Sequence, residues 1–87
     1  QKSSGYHSLQ QRPFWLLPAA QPIHQTAEQL YWNGPLSVIH GPERIEDRWW
    51  KTPVSRDYYV ACTPQKQPIW IYQDRYNRRW YLHGLFA

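Results

Sequence analysis

Arg75, Arg78 and Arg79 crowd one short stretch, with Tyr76 and Trp80 interleaved. A guanidinium is a planar fork of N–H donors that matches phosphate oxygens, and a neighbouring ring offers a face on which a base can stack. The run Arg75–Arg79, with Tyr76, is therefore a candidate nucleic-acid contact. The competing reading is a solvated hairpin tip whose arginines discourage edge-to-edge pairing with other chains. A second set of candidates is aromatic. Trp49, Trp50, Trp70, Tyr72 and Tyr81 could anchor a protein partner, because buried rings carry much of the energy of protein interfaces.

Catalytic chemistry finds little support. The acids Glu28, Glu43, Glu46, Asp47, Asp57 and Asp74 are scattered over different segments, whereas a two-metal phosphoryl-transfer centre needs carboxylates that converge. His7, His24, His40 and His83 are widely spaced and stand beside a single cysteine, which does not give the ligand spacing of a zinc site. No glycine-rich phosphate loop is present. Cys62 has no basic neighbour in its strand and reads as a small apolar residue. The expectation is a non-enzyme with no catalytic residue, no metal and no cofactor.

The elements that would position these residues read mainly as strands. Residues 36–40, 44–50, 56–63, 69–73 and 79–86 are rich in β-branched and aromatic side chains and are separated by turn residues. Gly41-Pro42 closes the first of them, and Arg75–Arg78 forms a compact hairpin tip. Asn33-Gly34-Pro35 makes a turn, since Asn and Gly tolerate positive φ. Thr26 to Tyr31 holds helix formers but is too short to form a helix alone. The fold class expected is mainly β, a small antiparallel meander or half-open barrel of about four to five strands.

Side-chain alternation adds a second expectation. Ile69 and Ile71 face one way and Trp70 and Tyr72 the other; Tyr58 and Val60 oppose Tyr59 and Ala61. In the last strand, Trp80, Leu82 and Phe86 share a face opposite Tyr81, His83 and Leu85. A sheet with one wet face would show polar residues there, yet both faces are apolar or aromatic. Either an extended N-terminal segment wraps the second face, with Phe14, Trp15, Leu16 and Leu17 as the cover, or that face meets a partner. Pro13 and Pro18 bracket those four residues and restrict them to an extended or edge segment.

Length and composition bound the rest. An 87-residue chain has room for one modest core. Its hydrophobic content of 41% is slightly low for a globular chain, but 17% is aromatic, the opposite of a disordered composition. Residues 1–11 are polar and read as the end of a flexible linker, leaving 12–87 as a single β domain. The chain starts at Gln1 and has no Met, so it reads as a fragment of a longer protein. One cysteine and no long apolar run suit a reducing, cytoplasmic setting with no membrane contact. The net charge of +4 permits an acidic partner.

Certain strings are more specific. At Gly41-Pro42-Glu43-Arg44-Ile45-Glu46, then Trp49-Trp50, then Arg56-Asp57-Tyr58-Tyr59-Val60-Ala61, the chain resembles the C-terminal domain of ImuB-type proteins, the polymerase-like subunit of the bacterial mutasome. The closing Trp80-Tyr81-Leu82-His83-Gly84-Leu85-Phe86-Ala87 and the opening Arg12-Pro13-Phe14-Trp15-Leu16-Leu17-Pro18 extend the resemblance over about residues 12–87. Asp47-Arg48 departs from the small residue and glycine of the pattern. The resemblance implies a catalytically inactive relative of Y-family polymerases that serves damage-induced translesion DNA synthesis and mutagenesis. It implies partners among the mutasome proteins: a RecA-like accessory protein, an error-prone C-family polymerase and, through the parent protein, the sliding clamp. It supplies no residue-level binding site. Three readings stand: a protein-interaction module, an accessory DNA-binding module using the arginine hairpin, and a structural cap.

Overall fold

A computed structural model describes residues 15–47 and 53–86. Among these residues the chain forms β1 (Trp15–Pro22), β2 (His24–Thr26), β3 (Gln29–Tyr31), β4 (Ser37–Asp47), β5 (Val54–Cys62), β6 (Pro68–Asp74) and β7 (Trp80–Leu85). β4 to β7 run as an antiparallel meander, and β1 joins β7 to give one open sheet of order β1-β7-β6-β5-β4. β2 and β3 pair as a separate hairpin. The mainly β, antiparallel class read from the strand signals is correct, and the sheet is not closed into a barrel.

β6 is the centre of the molecule. Ile69, Trp70, Ile71 and Tyr72 are consecutive and all buried. Because successive strand residues point to opposite faces, both faces of the sheet must be covered. On one face Tyr59, Ala61, Ile69, Ile71, Trp80 and Leu82 form an apolar layer, closed by Ile23, Leu30, Trp32 and Leu36. The β2–β3 hairpin lies over this layer. Its start is tied to the sheet by the Ile23 amide, which donates to the Trp80 carbonyl at 2.9 Å. Gln29 Nε2 donates to the Leu36 carbonyl at 2.8 Å and holds the exit. The other face carries Tyr58, Val60, Trp70 and Tyr72, with Ala20, Ile45, Tyr81 and Phe86 packed against them.

Several expectations need correction. Trp15, Leu16 and Leu17 do not wrap a face: β1 pairs edge to edge with β7, so its side chains alternate instead of lying flat. Trp15 and Leu16 are exposed, and Leu17 joins the aliphatic layer. Pro18 is tolerated within β1 because an edge strand has a non-bonding side, and the pairing is irregular between Leu16 and Gln21. The linker at 1–11, Phe14, and the Trp49-Trp50 pair lie outside the described residues. Thr26 to Tyr31 spans the β2–β3 turn, with Ala27 at φ 54°. Gly41-Pro42 does not end a strand but sits inside β4, where the pairing with β5 slips twice, between Val38 and His40 and between His40 and Glu43.

A bulge also reverses the parity expected for the last strand. Trp70 pairs with Gly84 while Ile71 pairs with Leu82, so His83 is an extra residue on β7. Beyond it, Leu85 turns to the aliphatic layer and Phe86 to the aromatic one.

Gly41 is where β4 comes closest to β5. It has φ +120°, and a Cβ there would lie 2.7 Å from the Tyr58 carbonyl oxygen and 2.9 Å from the Tyr59 ring. An L side chain is strained in that conformation and has no room. Gly41→Ala is expected to lower stability by about 1–3 kcal/mol, read as a lower melting temperature; an unchanged melting temperature would show that the bulged β4 can relax.

Candidate functional site

The hairpin joining β6 to β7 is built by its own side chains. Asp74 Oδ1 accepts from the amides of Tyr76 at 2.8 Å and Asn77 at 3.2 Å, the way Asp caps a turn. Asn77 Oδ1 accepts from the Arg79 amide at 2.8 Å. The Arg78 amide donates to the Asp74 carbonyl at 2.8 Å, and Arg78 takes φ 66°. The compact tip expected from the sequence is present.

The four candidate residues at this tip do not act alike. Arg75 turns back onto the sheet: Nη1 donates to Glu46 Oε2 at 3.1 Å and to Ser55 Oγ at 2.9 Å. Its side chain fastens the tip to β4 and β5. Tyr76 is exposed. Arg78 and Arg79 instead line a pocket of about 350 Å³ with Pro22, Ile23, Gln25, Trp80 and Tyr81. The pocket opens where β1 passes into β2 beside the start of β7. Trp80 Nε1 itself is sealed from solvent with no acceptor, a costly condition for a donor.

The remaining described arginines are engaged. Arg44 Nε donates to Asp57 Oδ1 at 2.8 Å. That carboxylate, with its charge and its hydrogen bond, raises the Arg44 pKa. Arg56 lies 4.3 Å over the Tyr72 ring and donates from Nη1 to the Tyr58 hydroxyl at 3.0 Å. Three of the acids are likewise committed: Asp57 to Arg44, Glu46 to Arg75 and Ser55, and Asp74 to its turn. Among the described residues no group of three or more His, Cys, Asp or Glu side chains could hold a metal ion.

The aromatic anchors expected on the second face are mostly core. Trp70 is 5% exposed and Tyr72 is 4% exposed, so neither presents a free ring. Tyr58 stacks on Trp70 at 4.1 Å, Trp70 on His83 at 5.2 Å, and Tyr72 on Tyr81 at 5.2 Å. These rings cover one another, and Arg56 covers part of Tyr72. Tyr81 is half-buried and its hydroxyl accepts from Asn77 Nδ2 at 3.2 Å.

The exposed large apolar side chains lie elsewhere. Trp15 is 65% exposed and Leu16 is 60% exposed, both on edge strand β1, and Val38 and Ile39 are exposed on β4, at the opposite edge of the described sheet. Neither edge pair was singled out as a binding surface from the sequence. The signal was present at Trp15-Leu16, since an apolar run broken by Pro18 belongs at an edge.

His83 was also missed as a working residue. Its Nδ1 lies 2.9 Å from the Tyr58 hydroxyl, which already accepts from Arg56 and so has its own proton to give to a neutral imidazole. Burial, with Arg56 nearby, lowers the His83 pKa below its ordinary 6.5. No family model, curated protein or solved structure matches the chain.

His83 carries a sign for pH. Its folded pKa lies below the unfolded value, so as pH falls through the unfolded value the unfolded chain takes up a proton that the folded chain refuses. Stability should therefore decline from pH 7 toward pH 5. His83→Phe, which keeps a ring in the stack, should flatten that limb; thermal melts of both proteins across this range check it, and parallel pH profiles would contradict it.

Proposed function

We propose that this domain is a non-catalytic docking module of an adaptor protein in translesion DNA synthesis, holding a protein partner at the outer edge of β1. One observation carries the reading: Trp15 and Leu16 are adjacent on an edge strand and both are exposed. Neighbouring strand residues point to opposite faces, so neither face of the sheet shelters the end of β1. Among the described residues β1 has a strand neighbour on one side only, and an edge of this kind accepts an extended segment as a further strand. Backbone hydrogen bonds would then supply affinity, and the indole and isobutyl groups would supply selectivity.

The adaptor context rests on the Gly41–Glu46, Arg56–Ala61 and Trp80–Ala87 strings and their resemblance to the ImuB-type C-terminal domain. The structure supplies a physical reason for two of them. Gly41 permits the close approach of β4 to β5, and His83-Gly84 makes the bulge that sets the two faces of β7. The engaged carboxylates leave Glu46, Asp57 and Asp74 with structural roles. These features suit a binding module, and the resemblance alone names its partners: the RecA-like accessory protein, the error-prone C-family polymerase or the sliding clamp.

Purified samples of those three proteins, each offered to the immobilised 87-residue chain, test the reading. Capture of one of them is expected. Trp15→Ala combined with Leu16→Ala should weaken it at least about tenfold, since an aromatic anchor at an interface is worth about 2 kcal/mol or more. Trp15 and Leu16 are exposed, so the double variant should melt as the parent does. Binding that survives the double substitution unchanged, or no capture at all, would dismiss the proposal.

A further inference from the structure

The pocket between the β6–β7 tip and the start of β2 has no part in docking at the β1 edge. Its walls combine two features. Arg78 and Arg79 are exposed and have no carboxylate partner among the described residues, whereas Arg44 and Arg75 do. Ile23 and Trp80 belong to the aliphatic layer and bring apolar surface to the wall. Two positive charges and an apolar wall fall within one concavity of about 350 Å³.

We propose that this pocket is a phosphodiester site that takes single-stranded nucleic acid. Arg78 and Arg79 hold phosphate oxygens, which guanidinium groups meet with two parallel hydrogen bonds. The base lies against the apolar wall of Ile23 and Trp80, and the Gln25 amide at the rim meets its edge. Asp74 and Asn77 hold the backbone of the tip from which the arginines project. A single strand can turn a phosphate and its base together into a recess. The phosphates of a duplex stand on the outside of a stiff rod, with their bases paired inside. An acidic peptide would satisfy the arginines but offers no flat group to the Ile23 and Trp80 wall. The site refines the expected arginine contact: Arg78 and Arg79 belong to it, while Arg75 serves the fold.

Fluorescence anisotropy of a labelled oligothymidine with the 87-residue chain, titrated at several salt concentrations, tests the proposal. The variant Arg78→Asn with Arg79→Gln removes both charges, and Asn tolerates the positive φ of position 78. It should weaken binding at least about tenfold. It should also reduce the slope of log affinity on log salt by about 1.4, two phosphate contacts at about 0.7 each. Arg44→Gln with Lys66→Gln loses the same net charge away from the pocket and should bind as the parent does. Failure of the parent to bind, equal losses in both double variants, or competition by polyglutamate as effective as by unlabelled oligothymidine would each overturn the site.

Discussion

Four consecutive buried residues on β6, Ile69 to Tyr72, impose the condition that the rest of the fold answers. A strand buried on both faces needs cover on both, and a chain this short has few elements to spend on it. The two faces meet the condition differently. The aliphatic face is closed by a separate hairpin, through Ile23, Leu30, Trp32 and Leu36. The aromatic face is closed largely by rings stacked on rings, with Arg56 laid across Tyr72. Such stacks add to stability beyond the area they bury, and they let side chains of one sheet protect each other.

The bulge at His83 belongs to this solution. One extra residue on β7 places an imidazole among Tyr58, Trp70 and Tyr72, while Gly84, opposite Trp70, puts no side chain beside the indole. The hydrogen bonds from Arg56 to Tyr58 and from Tyr58 to His83 give the layer a polar seam that fixes its register. The same parity change sends Leu85 and Phe86 to opposite faces from those that strict alternation assigns.

Much of this was legible in the residues. Strand signals, the Asn33-Gly34 turn, the hairpin tip and the alternation along β5 and β6 all follow from local chemistry, and the structure agrees except that the first two expected strands are the single β4. What was not legible depends on partners remote in sequence. Period-two reading cannot see a bulge, because the extra residue is defined only against the facing strand. For the same reason Gly41-Pro42 looked like a strand end, although it marks slips within β4. Exposure misled most. Trp70 and Tyr72 looked like free anchors since their face lacked polar residues, but mutual stacking buries them, and the exposed rings Trp15, Tyr31 and Tyr76 sit on β1, on β3 and at the hairpin tip. At the arginine cluster the residue types were legible, while the division of labour was not. Arg75 faces Glu46, 29 positions away in the chain, and that pairing alone separates it from Arg78 and Arg79.

The central claim is that both faces of β6 are core, so that binding must use the edges and the tip. Thermal and urea unfolding of Trp70→Ala beside Ile71→Ala tests it most directly. These neighbours point to opposite faces, and both variants should lose about 2–5 kcal/mol, a large share of the stability of a domain this small. A Trp70→Ala protein that unfolds as the parent does, while Ile71→Ala is crippled, would mean that the aromatic face is not core, and the account would fail.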